Sequence, residues 1–434
     1  MPTVWSDKIK MRLKKLSLTN FRGFSSLELD LDPKLTVLVG VNGAGKTSIL
    51  DALASMLTSL ASGVWFGAAK RPPPLTVSDV RAESDSTVIH IDAEFEGALM
   101  TWKGALTRPG RPVTETEDIS DLTPIIDAAQ KSIVDKAPRL PLAIYFPTNR
   151  SALDIPSRIR TAHFFDELAA YDGALERGAS NFRGFFEWFR QEEDLFNEQA
   201  LAVKSFFPAE DAAPSRLPHV RTAIEELFQG ASELRIERGP QRMTLLYKGR
   251  RLDVSQLSDG EKCLLAMAGD LARRMVLAAP DDPKPLEREA VVLIDEIELH
   301  LHPGLQRTIL PRLQKVFPNV QFIVTTHSPQ VLSAVRSENV RLIEDFAIRP
   351  LTRATWHRDT NGILESVFGD SGRPPEVAEK LRLLRDAVDD DQVSEARSLI
   401  REIRSMIEGD DPDVFFLEQL LPPEGSEDGR EVAE

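Results

Sequence analysis

The stretch that most restricts how this chain folds is Gly40-Val41-Asn42-Gly43-Ala44-Gly45-Lys46-Thr47, set directly behind the apolar run Leu35-Thr36-Val37-Leu38-Val39. A buried strand, a G-x-x-x-x-G-K-[ST] loop and a helix opening at Lys46 are the context in which this pattern cradles phosphate. Glycines let backbone N–H groups close around phosphate oxygens, and the helix N-terminus adds partial positive charge. Lys46 is expected to reach the β- and γ-phosphates and Thr47 to ligate Mg2+, with Asn42, Gly43, Ala44, Gly45 and Ser48 lining the same ATP cradle.

Four further motifs follow in fixed order. Val291-Val292-Leu293-Ile294 reads as a buried strand that ends in Asp295 and Glu296. Asp295 is placed to hold Mg2+, and Glu296 to orient the attacking water and accept its proton. His327 follows another apolar strand, Phe322-Ile323-Val324-Thr325. Between them lies Glu298-Leu299-His300, where His300 and His302 stand two apart; zinc wants three or four protein ligands, so this pair alone makes no metal centre. Leu257-Ser258-Asp259-Gly260-Glu261-Lys262 opens an apolar helix with Ser258 near the N-cap. Taken alone it is either an ordinary capped helix or an anion site made of a hydroxyl, backbone N–H groups and a helix dipole.

Composition narrows the class. Of 434 residues, 42% are hydrophobic and 28% charged, normal globular usage. No apolar run approaches the roughly 20 residues of a membrane span, and the start lacks a signal-like stretch, so the expected compartment is the cytosol, with no membrane partner. The single cysteine, Cys263, rules out an intramolecular disulfide and reads as a small core residue. The net charge of −15 is uneven: from Leu351 onward there are 10 Lys/Arg against 21 Asp/Glu, and before it 43 against 47. The acidity therefore belongs to a C-terminal extension and does not exclude nucleic acid near the body.

Strand patterns at Met11–Leu18, Leu27–Leu31, Thr87–Phe95, Leu99–Leu106 and Pro141–Phe146 give way to a helical, aromatic stretch typified by Phe182-Arg183-Gly184-Phe185-Phe186-Glu187-Trp188-Phe189, broken by prolines 208, 214 and 218. Strands resume at Leu234–Arg238 and Met243–Tyr247, and Val291–Asp295, Gln321–Thr325 and Val340–Ile343 complete a mostly parallel sheet alternating with helices. The expected divisions are 1–150, a helical insertion at 151–233, a second lobe at 234–350 and the acidic extension at 351–434. Two amphipathic helices are expected in that extension, one with Val377, Leu381, Leu384 and Val388 on a face, the other with Val393, Ala396, Ile400, Ile403 and Ile407. Asp389-Asp390-Asp391 reads as the solvated turn between them, and the chain from Pro422 as a disordered tail.

All five motifs together resemble the ABC-type ATPases of the SMC, RecF and OLD-related group, as does the opening Leu16-Ser17-Leu18-Thr19-Asn20-Phe21-Arg22-Gly23-Phe24. The resemblance implies an α/β ABC-type P-loop ATPase: a mostly parallel central sheet, an antiparallel β subdomain, a helical lid and a C-terminal helical extension. It implies a homodimer or higher oligomer in which Ser258, Asp259 and Gly260 meet the γ-phosphate in trans, His327 contacts the γ-phosphate and the water, and Arg22 contacts the nucleotide. It also makes Glu298–His302 part of the loop by which two nucleotide domains read each other's state. About 210 residues without sustained heptads separate the P-loop from Leu257, too few for a long-armed SMC protein. The glutamine that the group carries in its Q-loop is not identifiable in this sequence: Gln130 is the only one between Thr47 and Arg150.

Over nearly the full length the chain resembles the ATPase subunit of Septu and retron-linked anti-phage systems, through Tyr145-Phe146-Pro147-Thr148-Asn149-Arg150, the run from Ile294 to Pro303, and Thr360-Asn361-Gly362-Ile363-Leu364-Glu365-Ser366-Val367-Phe368-Gly369. That resemblance implies an HNH-type nuclease partner, together with a retron reverse transcriptase and its non-coding DNA, and no nuclease activity of the chain's own. Three readings stand side by side: an ATPase gating a nuclease, a RecF-like repair ATPase, or a switch needing ATP binding without turnover. The second would bind DNA through Arg235, Arg238, Arg242, Lys248, Arg250 and Arg251, a stretch that equally reads as the solvent face of a hairpin.

Overall fold

The computed structural model describes residues 10–66, 75–135, 141–149, 165–176, 182–204, 215–239, 241–351, 353–370 and 372–423. Arg150, prolines 208 and 214, and the tail beyond Pro423 lie outside the described residues. The chain divides into two compact units, Met1–Thr360 and Asn361–Glu434.

In the first unit β1 (Met11–Phe21), β2 (Phe24–Asp30) and β3 (Leu35–Val39) lead into α1 (Lys46–Phe66). Then come β4 (Ser86–Phe95), β5 (Ala98–Thr107), α2 (Thr123–Val134), β6 (Leu142–Phe146), α3 (Phe182–Lys204) and α4 (Leu217–Leu227). A hairpin sheet of β7 (Ala231–Arg238), β8 (Gln241–Tyr247) and β9 (Arg250–Asp253) precedes α5 (Asp259–Leu277). The unit is completed by β10 (Ala290–Ile294), α6 (Pro303–Gln306), α7 (Ile309–Val316), β11 (Gln321–Thr326), α8 (Pro329–Leu332), β12 (Val340–Glu344) and β13 (Ala347–Arg349).

The central sheet has the order β13-β12-β3-β11-β10-β6, parallel except for the edge strand β13. Strands β3, β6, β10 and β11 are buried at every residue, as parallel strands covered on both faces must be. Register aligns their C-terminal ends: Val39 stands opposite Thr326, Ile294 opposite Val324, and Ile294 opposite Phe146 on the other side. The loops that leave these ends therefore converge, which is where open α/β sheets bind ligands. Two antiparallel sheets, β2-β1-β4-β5 and β7-β8-β9, complete the β structure. The architecture is therefore α/β, a mostly parallel central sheet accompanied by separate antiparallel sheets.

Helix α5 is buried nearly all round, including Cys263, and this explains its apolar run. Gly269 lets the Phe185 ring of α3 approach, since a Cβ there would lie 2.6 Å from it, and Phe182, Phe186, Trp188 and Phe189 fill the same core. Helix α1 corrects one expectation. Lys46–Trp65 is long and apolar enough, by length and composition, to cross a membrane, yet 72% of that window is buried within the fold, as for a core helix.

The second unit holds α9 (Thr360–Phe368), α10 (Pro375–Asp389), α11 (Val393–Met406) and α12 (Pro412–Gln419). The expected stripes on α10 and α11 pack together through Val377, Leu381, Leu384, Ala396, Ile400 and Ile403, with Val388 and Ile407 at the margin. Asp391 takes a positive φ of 58° in the turn between them. Five elements had no counterpart in the sequence reading: α2, β9, β13, α9 and α12. The two strands are too short for alternation to register, and α12 carries apolar residues on several faces.

Candidate nucleotide site

Strand β3 delivers the P-loop. A Cβ at Gly40 would stand 2.1 Å from the Ile343 carbonyl oxygen of β12, so only glycine lets the loop leave the sheet here. Gly43 and Gly45 hold φ of 82° and 101°. At Gly45 the neighbours are the Phe24 and Phe346 rings, which meet edge to face at 5.3 Å. Phe346, at the tip of the β12–β13 turn, was not singled out from sequence, and no local pattern marks it.

Lys46 is buried, with Nζ donating to the carbonyls of Gly40 and Val41, each at 2.9 Å. Burial lowers its pKa, against the pull of Asp295, Glu296 and Glu298. Thr47 donates from Oγ1 to the Asp295 carboxylate, 2.9 Å from Oδ2. Asp295 is 1% exposed and accepts a second hydroxyl, Thr325 Oγ1, at 2.6 Å. Thr325 Oγ1 in turn accepts the Glu296 N–H at 2.7 Å, holding Glu296 in the left-handed region at φ 47°. Thr325 thus fixes both carboxylate residues from the neighbouring strand, a role that only register reveals.

His327 leaves β11 beside Lys46. Burial, and then the Lys46 cation, lower its pKa, with Asp295 opposing, so the imidazole is neutral at neutral pH. Its backbone N–H donates to Glu298 Oε1 at 2.5 Å, and Thr326 Oγ1 donates to Glu298 Oε2 at 2.8 Å. Burial raises the Glu298 pKa, while these hydrogen bonds work against it.

His302 caps α6, its Nδ1 accepting the Gly304 N–H at 3.2 Å, while His300 sits at φ 60° on the loop. Among the described residues no cluster of three or more His, Cys, Asp or Glu could hold a metal.

Ser258 is the N-cap of α5 within a capping box: Oγ accepts the Glu261 N–H, and Glu261 Oε2 accepts the Ser258 N–H at 2.9 Å and its hydroxyl at 2.8 Å. Tyr247 donates to the other Glu261 oxygen at 2.8 Å. Asp259 is largely exposed, with Lys262 at 3.4 Å. Gly260 meets the Glu298–His300 loop: a Cβ there would lie 2.0 Å from the His300 carbonyl oxygen. No hydrogen bond joins Ser258, Asp259 or Gly260 to Lys46, Thr47 or Asp295. The motifs thus form two groups on one chain, linked at His300.

Arg22 lies beside α1, held by Asp51 at 2.7 Å and Asp79 at 3.0 Å, with Ser48 Oγ at 3.4 Å. Burial opposes its charge, and the two carboxylates more than compensate, raising its pKa. Tyr145 completes this cluster by donating to Asp51 at 3.1 Å. Gln130 is elsewhere: its Nε2 reaches the Gly63 carbonyl at 3.3 Å, about 25 Å along α1 from Lys46 at 1.5 Å per residue. A cavity of about 450 Å³ lined by Thr58, Ser62, Trp65, Tyr171, Asp172 and Glu176 also lies toward that far end, away from the P-loop.

The basic stretch is a hairpin face partly neutralised by its own neighbours. Arg242 and Arg235 pair with Glu237 at 2.6 and 3.5 Å, Arg238 with Asp194, and Arg251 with Glu233, while Lys248 stacks over Tyr247 at 4.7 Å.

Residues 11–147 match the family described as "AAA ATPase domain", and residues 143–333 match "AAA domain, putative AbiEii toxin, Type IV TA system". The "Retron Ec83 probable ATPase" of Escherichia coli is 30% identical, over 85% of this chain and 78% of its own length. The "Septu protein PtuA" of Bacillus thuringiensis is 22% identical, over 97% of this chain and 99% of its own. An SMC head domain from Pyrococcus furiosus, solved with the C-terminal domain of ScpA, is 15% identical over 78% of this chain and 96% of its own, with a TM-score of 0.46. The phosphate cradle, the Asp295–Glu296 strand end and 30% identity over most of a relative's length lead to one conclusion: this chain belongs to the ABC-type ATPase family that includes the retron Ec83 ATPase.

Proposed function

We propose that two copies of this ATPase close on ATP, and that closure gates a separate nuclease in anti-phage defence in the cytoplasm. Each nucleotide would be held between the P-loop (Asn42 to Ser48), Asp295, Glu296 and His327 of one copy and Ser258, Asp259 and Gly260 of the other. The observation that carries this reading is the division of the motifs: Lys46, Thr47, Asp295 and His327 are gathered at the strand ends, while the capped helix N-terminus at Ser258 makes no hydrogen bond to them. A helix N-terminus with a hydroxyl and a partial positive charge suits the phosphate of a second molecule.

Thr47 Oγ1 and the Asp295 carboxylate stand 2.9 Å apart, an oxygen pair suited to a hard cation. These two would hold Mg2+, which when bound neutralises charge on the phosphates. Glu296 takes the proton of the attacking water, and neutral His327 offers a hydrogen bond to the γ-phosphate without repelling Lys46. Arg22 lies close enough to Ser48 to brace the cradle. In this reading 1–150 and 234–350 are the two lobes of the ATPase head, 151–233 its lid and 351–434 an accessory extension.

The names of the retron and Septu relatives support a place in defence, with an HNH-type nuclease, a retron reverse transcriptase and its DNA as the partners to seek. Direct DNA binding is less favoured, because carboxylates pair four of the six basic hairpin residues. The test is light scattering of Glu296→Gln with ATP and Mg2+. A doubled mass, absent in Lys46→Ala along with nucleotide binding, is expected. A monomer in both, with ATP bound, defeats the composite site. Co-purification from the native host with no nuclease in any nucleotide state defeats the gating role.

A further inference from the structure

Glu298 carries no role in the chemistry above, yet both oxygens of its carboxyl group are engaged by hydrogen bonds. Its two carboxylate oxygens divide between consecutive residues at the end of β11, Oε2 accepting the Thr326 hydroxyl at 2.8 Å and Oε1 the His327 N–H at 2.5 Å. Thr326 Oγ1 also accepts the Ser328 N–H at 3.0 Å, so the network brackets His327 on both sides. The loop itself is pinned to the strand, with Ile297 N–H donating to the Thr325 carbonyl at 3.1 Å, and closed by Leu301 N–H on the Glu298 carbonyl at 2.8 Å. Thr326 is fully buried, so its hydroxyl needs a partner in the protein.

We propose that Glu298 is a positioning residue for His327: its carboxylate fixes the peptide from which the imidazole projects, and thereby holds the ring in reach of the reacting phosphate. Two carboxyl oxygens engaged by donors on consecutive residues set direction as well as distance. Ring placement matters because an error of about 1 Å in a reacting group costs on the order of 100-fold in rate. The proposal rests on the reading that His327 acts at the γ-phosphate.

The test uses the full chain and compares Glu298→Ala, Glu298→Gln, His327→Ala and the Glu298→Ala/His327→Ala double variant, measuring kcat and the affinity for a fluorescent ATP analogue. Glu298→Ala is expected to lower kcat about 10- to 100-fold with affinity within about twofold. Glu298→Gln, which keeps one acceptor for the His327 N–H, falls between it and the parent. The double variant is expected to be no slower than His327→Ala, because residues acting through one another are not additive. If Glu298→Ala melts early, Glu298→Gln decides. Additive losses, or a loss of affinity matching the loss of kcat, overturn the proposal. So do Glu298 variants of parental rate beside a slow His327→Ala. A His327→Ala of parental rate overturns the reading of His327 itself, and the proposal with it.

Discussion

Asp270 illustrates what one residue can be required to do. It is 2% exposed on α5, with Oδ1 2.7 Å from Arg273 Nη2 and Oδ2 2.8 Å from Arg274 Nε; both arginines are 1% exposed. Arg274 also reaches the Ala170 carbonyl at 2.7 Å, tying the helix to the segment between β6 and α3. Burial pushes the Asp270 pKa up, but Arg274 and Arg273 outweigh it and leave the carboxyl below its ordinary range. Burial also presses the Arg273 pKa down, yet a guanidinium stays charged at any accessible pH. With the folded pKa depressed, Asp270 contributes stability that is present above the ordinary carboxylate pKa and is lost as pH falls through the folded value. Asp270→Asn leaves two buried cations uncompensated and is expected to cost about 3–5 kcal/mol, read as a lower melting temperature at pH 7 and a smaller further loss on acidification. Equal melting of the two proteins at pH 7 would remove the ion triad from the account of stability.

At the scale of elements, the contact between Gly260 and the His300 carbonyl joins the N-terminus of α5 to the loop after β10. Gly260→Val forces these apart, because the obstacle is backbone and has no rotamer to adopt. Turnover is expected to drop at least about tenfold with P-loop affinity for ATP within about twofold, measured by steady-state kinetics and titration of a fluorescent analogue. Full turnover would show that this junction tolerates displacement. Much of this site was legible in the sequence, because each motif is a contiguous run: the strand before Gly40, Asp295-Glu296 at a strand end, Ser258 ahead of an apolar helix. What escaped was everything set by register or tertiary approach. Thr325 fixes Asp295 and Glu296 only because β11 lies beside β10, and Phe346 reaches Gly45 only because a turn of β12–β13 folds over the P-loop. Arg22 was singled out, but not the Asp51 and Asp79 that hold it, since 29 and 57 residues separate them in the chain. The basic stretch looked open to DNA in one dimension, and in three a cross-strand and an α3 carboxylate engage part of it.

At the scale of the molecule, the chain carries two cores of different character. The first surrounds the parallel sheet; the second is a small helical cluster in which Leu384, Ala396 and Ile403 are fully buried between α10, α11 and α12. Within it Arg373 binds Asp411 and, at 2.8 Å, Asp413, closing the N-terminal end of α12 onto the stretch before α10. A segment of this size stands near the lower limit at which apolar burial offsets chain entropy. Residues 361–423 also carry 7 Lys/Arg against 15 Asp/Glu, and that excess of like charge works against compaction. Expressed alone, 361–423 is therefore expected to be helical by circular dichroism and to melt cooperatively, at a temperature that rises as salt screens the repulsion. Leu384→Asp, which places a charge at the centre of that cluster, should abolish the transition. The complementary fragment 1–360 contains every P-loop and strand-end residue of the site and should bind ATP with the affinity of the whole chain. A coil-like spectrum from 361–423 alongside normal binding by 1–360 would mean that the helical cluster depends on the rest of the chain to fold. A cooperative, salt-strengthened melt would instead establish it as a folding unit in its own right, one whose surface can change without disturbing the ATPase core.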